Sequence, residues 1–486
     1  MTRRKREFFQ IQKFRRRYDR KAGKFVFNIA YETATEITPR TIGVAEAFGL
    51  GVDEHRKFVI YDNVELKIGP KDIVYITGDS GSGKSVLLKA IEQDLGSEAI
   101  DMEDIHPDPE KPLIDTIGKD LSGGLELLSR AGLNDAFLFI RRFRELSDGQ
   151  KYRYKIAKLL ESDKQWWIAD EFCSTLDRDT AKIVAFNVQK LARKEGKAVV
   201  AATTHTDLFE NLRPTVHIHK RFGKEIQVKY FPRPPGGRQC TLVKEMWIEE
   251  GTREDYETLA GFHYRDSRRL VCPQKIFVLK RGDELCGVIV YRSPAVRTAG
   301  RKKAFGRVLT IYEVNQVLTC IARVVVHPKY RTIGLGVKLV RETLPLAGKP
   351  YVETTAVMAR YNPFFERAGM TKIAESKPRP AILEGVEKLR CLGFNPVLLG
   401  STKYTIHRMR EDPGLIKKVR TVFKHVSKAG GVYRKRIAST GRAYMKHNEF
   451  CDCVDRADVE KLARMIKILS FLIQTKVYLF WKNPDL

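Results

Sequence analysis

No CxxC pair occurs among the eight cysteines, Cys173, Cys240, Cys272, Cys286, Cys320, Cys391, Cys451 and Cys453, which removes the common zinc-site patterns. Cys451 and Cys453 form an isolated CxC, too little for a metal site. A disulfide framework is not needed either, because 486 residues that are 43% hydrophobic can build full cores. A run of about 18 apolar residues, the mark of a membrane-spanning helix, is also missing. The longest apolar stretch, residues 466–481, is broken by Lys467, Gln474 and Lys476. The basic N-terminus carries no apolar segment of the kind a secretory leader needs. These absences predict a soluble, cytoplasmic protein with no membrane partner. Internal repeats and low-complexity blocks are lacking as well.

Acidic residues are scarce beside basic ones: 59 Asp and Glu stand against 88 Lys and Arg, a formal net charge of +29. Such an excess predicts a polyanionic partner, nucleic acid first. At roughly 100–200 residues per domain, two to four domains are expected. Residues 1–40 read as a flexible basic arm, with Phe8, Phe9, Phe14 and Tyr18 interleaved among Arg and Lys, which suits stacking on bases. Over 41–235, strand-like runs at 72–77, 165–169 and 198–203 alternate with helix-like ones, the pattern of a parallel α/β sheet. The Pro/Gly stretch 232–237 reads as a linker. A second α/β unit follows over 236–375. Residues 376–486 read as a basic, mainly helical C-terminal segment. In it Lys417, Lys418, Arg420, Lys424, His425, Lys428, Arg434, Lys435, Arg436, Arg442 and Lys446 cluster, with Phe423, Tyr433 and Tyr444 between them, a face suited to phosphates.

Gly78-Asp79-Ser80-Gly81-Ser82-Gly83-Lys84-Ser85 fits GxxxxGK[ST] after an apolar strand and ahead of a helix. Glycine here lets backbone N–H groups curl around phosphate oxygens, and the helix N-terminus adds partial positive charge. Lys84 is expected to reach the β- and γ-phosphates of ATP, and Ser85 to ligate Mg²⁺. Leu146-Ser147-Asp148-Gly149-Gln150 then precedes a helical run. Trp166-Trp167-Ile168-Ala169 runs into Asp170 and Glu171, a buried strand ending in two acids. Asp170 is expected to hold the metal's water shell and Glu171 to polarise the attacking water. Asp177 closes Ser174-Thr175-Leu176-Asp177, and His205 follows a later strand.

In this order the motifs resemble those of the ATP-binding cassette (ABC) ATPases, over about residues 45–220. The resemblance implies a Walker A loop at 78–85, a signature at 146–150, a Walker B strand, a D-loop at Asp177 and a switch at His205 near the γ-phosphate. It also implies a head-to-tail homodimer in which Ser147, Gly149 and Gln150 of one copy close over the ATP of the other. Leu121-Ser122-Gly123-Gly124 also spells a signature, but lies too far ahead of Asp170 and reads as a helix-opening turn. Two features depart from the family. No clear Q-loop glutamine stands between Ser85 and Leu146, and that span is short. Little is left for a membrane-docking helical subdomain, which favours a mechanical or switching role over a transporter. Phe58 and Tyr61 are candidates to stack on adenine.

Residues 321–326 read as a strand, followed by His327-Pro328-Lys329-Tyr330 and by Arg331-Thr332-Ile333-Gly334-Leu335-Gly336 where a helix begins. RxxGxG between strand and helix makes a second anion-cradling turn. Without the Lys-Ser of the first loop, it suits a pyrophosphate with no catalytic metal. Over about residues 245–375 the chain resembles the GNAT superfamily of acyl-CoA-dependent N-acyltransferases. That resemblance implies acetyl-CoA or another acyl-CoA held by Val324, Val326, Arg331, Gly334, Gly336 and Asn362. The segment 362–370 is similar to the family's closing N…YExxGF, but Phe365 replaces the usual general-acid tyrosine and Met370 the phenylalanine. Tyr361 or Tyr330 is then the candidate acid. His263, in Gly261-Phe262-His263-Tyr264-Arg265, is a candidate base or nucleobase contact. Its HY pair resembles the Mom-like DNA-modifying branch of GNAT folds.

The expected fold is therefore α/β: a P-loop ABC ATPase domain, a GNAT-like α/β domain and the basic helical C-terminal segment. The expected function is an ATP-hydrolysing ABC ATPase coupled to an N-acyltransferase acting on a nucleic-acid base amine, DNA favoured over RNA. Two alternatives stand beside it: a protein N-acetyltransferase, perhaps ribosomal, with an ATP switch, and a non-enzymatic nucleic-acid clamp built on a degenerate GNAT fold.

Overall fold

The computed structural model describes residues 9–19, 23–33, 38–49, 57–233, 239–263, 270, 272–360, 362–441 and 444–484. The chain divides into two compact units, one of Met1–Tyr291 with Ala322–Thr343, the other of Arg292–Ile321 with Leu344–Leu486.

In the first unit, β1 (Phe9–Asp19), β2 (Lys24–Thr33) and β3 (Lys57–Lys67) form an antiparallel sheet in that order. The flexible arm expected over 1–40 is corrected for its described residues: Phe9–Asp19 and Lys24–Thr33 are paired antiparallel strands. The cause is the alternation in β2, where Phe25, Phe27 and Ile29 share one face and are fully buried. Tyr18 stacks on Phe25 at 4.2 Å between ring centroids and packs, half-buried, against this core. Residues 1–8 lie outside the described residues, as do the side chains of Phe9 and Phe14.

The next sheet holds β4 (Ile73–Gly78), β5 (Ala99–Asp101), β6 (Trp166–Ala169), β7 (Ala198–Ala202), β8 (Val216–Lys220) and β9 (Ile226–Tyr230). Their order is β5-β6-β7-β4-β8-β9, parallel except for β8 with β9. Strand alternation sends Ile73, Tyr75, Trp167, Val199 and Ala201 into a core with the helices Asp148–Glu161 and Arg178–Glu195. Val74, Ile76, Trp166, Ile168 and Val200 face the other way, toward the helix Lys84–Leu95 and Phe25, Phe27 and Leu66 of the first sheet. Both faces are covered, as a parallel sheet requires. Ligands of such sheets bind beyond the C-terminal ends of the strands, which here are the ends of β4, β6 and β7.

Further along in this unit, β10 (Trp247–Glu250), β11 (Pro273–Arg281), β12 (Glu284–Arg292) and β13 (Leu318–Val326) are successive neighbours. Val325, at the end of β13, joins Val278, Val288, Val290, Tyr256 and Leu259 in a small core. The helix Leu335–Thr343 follows.

In the second unit the start of β13 runs parallel to β14 (Tyr351–Ala356), pairing Leu318 to Cys320 with Tyr351 to Glu353. β15 (Thr371–Ser376) and β16 (Lys476–Lys482) complete the order β13-β14-β16-β15, with β16 antiparallel to both of its neighbours. Between β15 and β16 the chain builds helices, from Pro380–Cys391 to Val459–Ser470, around a core that includes Ile382, Val419, Phe423, Leu462 and Ile466. The separate segment expected over 376–486 is corrected accordingly: it ends in a strand lying between β14 and β15. Val477, Tyr478 and Leu479 are all buried there, as a central strand demands. No helix among the described residues is long and apolar enough to cross a membrane.

Candidate functional site

The loop 78–85 joins β4 to the helix Lys84–Leu95. Gly78 sits at φ +143, and a Cβ there would lie 1.9 Å from the Lys220 carbonyl oxygen. Gly83 sits at φ +101, with Ile60 Cγ2 at 2.6 Å from the same imagined atom. Only glycine meets both demands. The Lys84 ammonium donates to the carbonyls of Gly78 at 2.8 Å and Asp79 at 2.6 Å. Burial lowers its pKa from the ordinary 10.5, while the charges of Asp170 and Asp79 oppose the shift. Ser82 Oγ is buried without a hydrogen-bond partner. Asp79, Ser80, Gly81 and Ser85 are exposed. This loop fits a triphosphate: it is open at Gly81, where nothing lies within 4 Å of an added Cβ, one hydroxyl is orphaned, and its buried cation is held by backbone carbonyls that phosphate oxygens can replace. Ser85 and Asp170 offer a hydroxyl and a carboxylate, a sparse oxygen set of the kind Mg²⁺ completes with water and phosphate. Tyr61 is corrected as an adenine platform, since it is fully buried and donates to the Gly83 carbonyl at 2.9 Å. Phe58 is about half exposed and meets Phe222 edge-on at 6.0 Å.

Ser147 caps the helix Asp148–Glu161, and its N–H donates to Gln150 Oε1 at 3.1 Å in a capping box. Ser147 itself is exposed, and Gly149 and Gln150 are partly so. Leu121 to Gly124 form the first turn of the helix Leu121–Ala131, where Asp120 accepts from the Gly123 N–H at 2.7 Å. Asp170 accepts from the Glu171 N–H at 2.9 Å. Glu171 is exposed at φ +45, a left-handed position that is costly for a side chain this size. Asp177 caps the helix Arg178–Glu195 by accepting from the Thr180 N–H at 3.1 Å. The His205 carbonyl takes the Tyr75 hydroxyl, and its N–H points to Thr203 Oγ1 at 3.3 Å. Burial raises the Asp101 carboxyl, and the charges of Asp104, Glu103 and Asp170 add to it. In the span that lacks a Q-loop glutamine, Glu103 follows β5 and accepts from Lys155 Nζ at 3.0 Å.

The second turn follows β13. Val324 and Val326 lie on the half-exposed face, opposite buried Val325. Thr332 sits at φ +80 and Gly334 at φ +93, with nothing within 4 Å of a Cβ placed on Gly334. The turn is therefore open on that side, at the N-terminus of the helix Leu335–Thr343, where an anion finds N–H groups and dipole together. Arg331 points away, to the carbonyls of Val326 at 3.3 Å and Phe262 at 3.4 Å. Motif reading missed Arg153. This side chain of the helix Asp148–Glu161 is 7% exposed and donates to the carbonyls of Pro328 at 3.0 Å, Lys329 at 2.8 Å and Gly132 at 3.3 Å. Lys329 Nζ in turn donates to Asp179 at 3.0 Å, as does Arg281 at 2.8 Å.

Tyr330 is corrected as a general acid. It is fully buried, donates to Glu284 at 2.5 Å, and burial pushes its pKa up to about 12. Phe365 is buried against Phe364. The Asn362 N–H donates to the Met358 carbonyl at 2.9 Å. His263 ends the turn after the helix Arg253–Ala260, its N–H on the Ala260 carbonyl at 3.1 Å. Tyr361, Tyr264 and Arg265 lie outside the described residues. In the basic C-terminal cluster, Lys417, Lys418, Lys428, Arg436 and Lys446 are exposed. Arg434 and Phe423 are corrected as partners of phosphates and bases: Arg434 is buried on the carbonyls of Ser427 and Met445, and Phe423 is fully buried. Arg442 lies outside the described residues.

A family model described as "ABC transporter" matches residues 61–119. The cytochrome c biogenesis ATP-binding export protein CcmA of Bartonella henselae is 31% identical over 173 residues, covering 30% of this chain and 81% of that protein. The alpha-hemolysin translocation ATP-binding protein HlyB of Escherichia coli O157:H7 is 28% identical over 182 residues, covering 29% of this chain and 25% of that protein. The chain thus spans about a quarter of the length of that relative. Among solved structures, the dimeric bacterial ABC transporter cassette MJ0796 matches 36% of this chain and 92% of its own at 23% identity, with a TM-score of 0.30.

Proposed function

Because this chain belongs to the ATP-binding cassette family, we propose that it hydrolyses ATP and uses the cycle to control an acyl-CoA-dependent N-acyltransferase acting on a nucleic-acid base amine. What carries the first half is the loop 78–85, with two glycines that no other residue can replace and a buried ammonium held by the Gly78 and Asp79 carbonyls. On this reading Lys84 leaves those carbonyls for the β- and γ-phosphates. The backbone N–H groups of Gly78, Asp79, Ser80, Gly81, Ser82 and Gly83 line the phosphate chain. Ser85 and Asp170 hold Mg²⁺, which neutralises phosphate charge. Glu171 orients the attacking water and His205 senses the γ-phosphate. Exposed Ser147, with Gly149 and Gln150, meets the nucleotide of a second copy in a head-to-tail homodimer, beside Asp177.

The acyltransferase half rests on the turn 331–336, open at Gly334 and backed by a helix N-terminus. Pairing of β13 with β14 ends at Cys320, while β13 continues to Val326. That leaves Val324 and Val326 beyond the pairing, where an extended acyl-CoA arm can lie along the strand. Arg331, Gly334, Gly336 and Asn362 complete the set. Transfer forms a bond from the acceptor nitrogen to the acyl carbon as the C–S bond breaks, and the amine proton ends on the CoA thiol. His263 is the proposed base, and Tyr361 the proposed acid. The net charge of +29 supports a nucleic-acid acceptor. A base amine inside a duplex must first be exposed, a task for ATP-driven closure; DNA is favoured over RNA.

Buried Phe365, which offers no proton, favours a second reading in which the fold binds acyl-CoA or nucleic acid without transferring anything. Purified protein incubated with labelled acetyl-CoA, ATP and DNA, tRNA or ribosomes separates these. Label in nucleic acid is the expected result. Label in protein alone would move the acceptor to a protein amine, and CoA binding without label would leave the clamp.

A further inference from the structure

Arg153 lies in the same helix as the signature, Asp148–Glu161, and is buried where its sequence pattern gives no reason for a cation. Among the described residues no carboxylate bonds it. Its three acceptors among the described residues are backbone carbonyls, two of them on the chain that leads into the turn 331–336. That chain is gripped from a second side. Lys329 reaches Asp179 at 3.0 Å and Asp177 at 3.9 Å, at the start of the helix Arg178–Glu195. Lys190, later in this helix, donates to the Thr332 carbonyl at 2.6 Å. A Cβ on Gly132 would come within 2.6 Å of Thr332 Cγ2, so backbone and turn are in close contact there as well.

Resting on the acyl-CoA reading above, we propose that Arg153 is a positioning residue: it fixes the turn 331–336 to the signature helix, so that nucleotide and acyl-CoA bind with linked affinities. A guanidinium forked over two successive carbonyls transmits rotation as well as translation, because its donors are planar and rigid. Ser147 heads the helix that carries Arg153, and Asp177 heads the helix that carries Asp179 and Lys190. Whatever displaces those two helix starts must displace the turn or break these bonds. Arg153 is buried and Arg331, in the turn itself, is half-buried, and a pyrophosphate bound in the turn would offset their positive charge. Burial lowers the pKa of both, and their mutual repulsion adds to this for Arg153. An anion in the turn therefore strengthens the grip that nucleotide-driven movement would strain or relax, which supplies the differential free energy that coupling requires.

The test uses the full chain carrying Glu171→Gln, which holds ATP unhydrolysed. Calorimetry measures CoA affinity without nucleotide and with saturating Mg-ATP, and ATP affinity with and without CoA. The expected result is a change of about fivefold or more, equal in both directions by reciprocity. Adding Arg153→Met should bring that factor near one while each ligand still binds; Arg153→Lys should restore only part of it, since it keeps the charge and loses the fork. Should Arg153→Met fail to fold, Lys329→Met breaks the second grip and should reduce the same factor. A factor of one in the Glu171→Gln protein, or an undiminished factor in both variants, overturns the coupling and leaves the acyl-CoA reading standing. No CoA binding with or without ATP overturns that reading and the coupling with it.

Discussion

Lys84 Nζ stands 2.6 Å from the Asp79 carbonyl oxygen, so the cation of the phosphate loop is held by the loop's own backbone. Replacing it removes a charge from the reaction centre without opening a cavity in a core. Lys84→Ala is expected to lower ATP turnover about 100-fold or more, the usual scale for losing one group that stabilises developing charge. Circular dichroism and melting temperature should stay close to the parent's. A steady-state phosphate-release assay checks this, and unchanged hydrolysis would remove the loop from the mechanism.

Gly78 and Gly81 occupy the same loop at φ +143 and +74, yet their surroundings differ. A methyl on Gly78 meets the Lys220 carbonyl at 1.9 Å, whereas Gly81 opens onto space. Gly81→Ala should therefore cost only left-handed backbone strain, about 1–2 kcal/mol. Gly78→Ala must also push β4 from β8 and should cost clearly more. Urea denaturation of the two variants gives the order; equal midpoints would contradict it.

The phosphate loop was legible because its glycines, lysine and flanking strand are contiguous, and the chemistry there is set by neighbours in sequence. The pairing of β1 with β2 was not, since the charges of Arg15, Arg16 and Arg17 suggest a solvated arm while the alternation of Phe25, Phe27 and Ile29 is short. The strand at β16 was hidden for another reason: its partners β14 and β15 lie before the helices that end at Val459–Ser470, so no local pattern announces the pairing. Arg153 shows the same limit at one side chain. Its acceptors Pro328 and Lys329 are 175 and 176 residues away, and in the helix pattern it is simply one more basic residue.

His217 bears on acid stability. Its Nε2 lies 2.9 Å from Thr77 Oγ1, under the strand that leads to the loop, and its ring stacks on Tyr75 at 5.6 Å. Burial lowers its pKa below the ordinary 6.5, and the charges of His219 and Lys229 lower it further. Below pH 6.5 the unfolded chain therefore takes up a proton that the folded one refuses. Stability is lost as the pH falls from about 6.5 through the folded value, by some fraction of the roughly 1.4 kcal/mol per pH unit that one full proton brings. Melting temperatures measured from pH 7.5 to 5 should fall less steeply for His217→Asn. Identical slopes would assign the acid sensitivity to other groups.

Arg301 and Glu353 form an ion pair in the second unit, 5% and 1% exposed. Arg301 Nη2 donates to Glu353 Oε1 at 2.6 Å and Nε to Oε2 at 3.0 Å, and the Tyr478 hydroxyl donates to Oε2 at 2.9 Å. Tyr478 belongs to β16, so the pair ties the last strand to β14. Such a pair gains little over an apolar replacement of equal volume, but removing one partner leaves a bare charge in a dry place. Glu353→Leu alone should cost about 3–5 kcal/mol, because Arg301 then keeps only the carbonyls of Ala295 and Val296 and the Thr298 hydroxyl. Adding Arg301→Met should recover most of that loss, and Tyr478→Phe should cost about 1 kcal/mol as a single hydrogen bond. Chemical denaturation of these variants, with Arg301→Met alone added to close the cycle, measures the interaction energy of the pair. If the double variant were as unstable as Glu353→Leu, the cost would lie in lost packing and not in the unpaired charge.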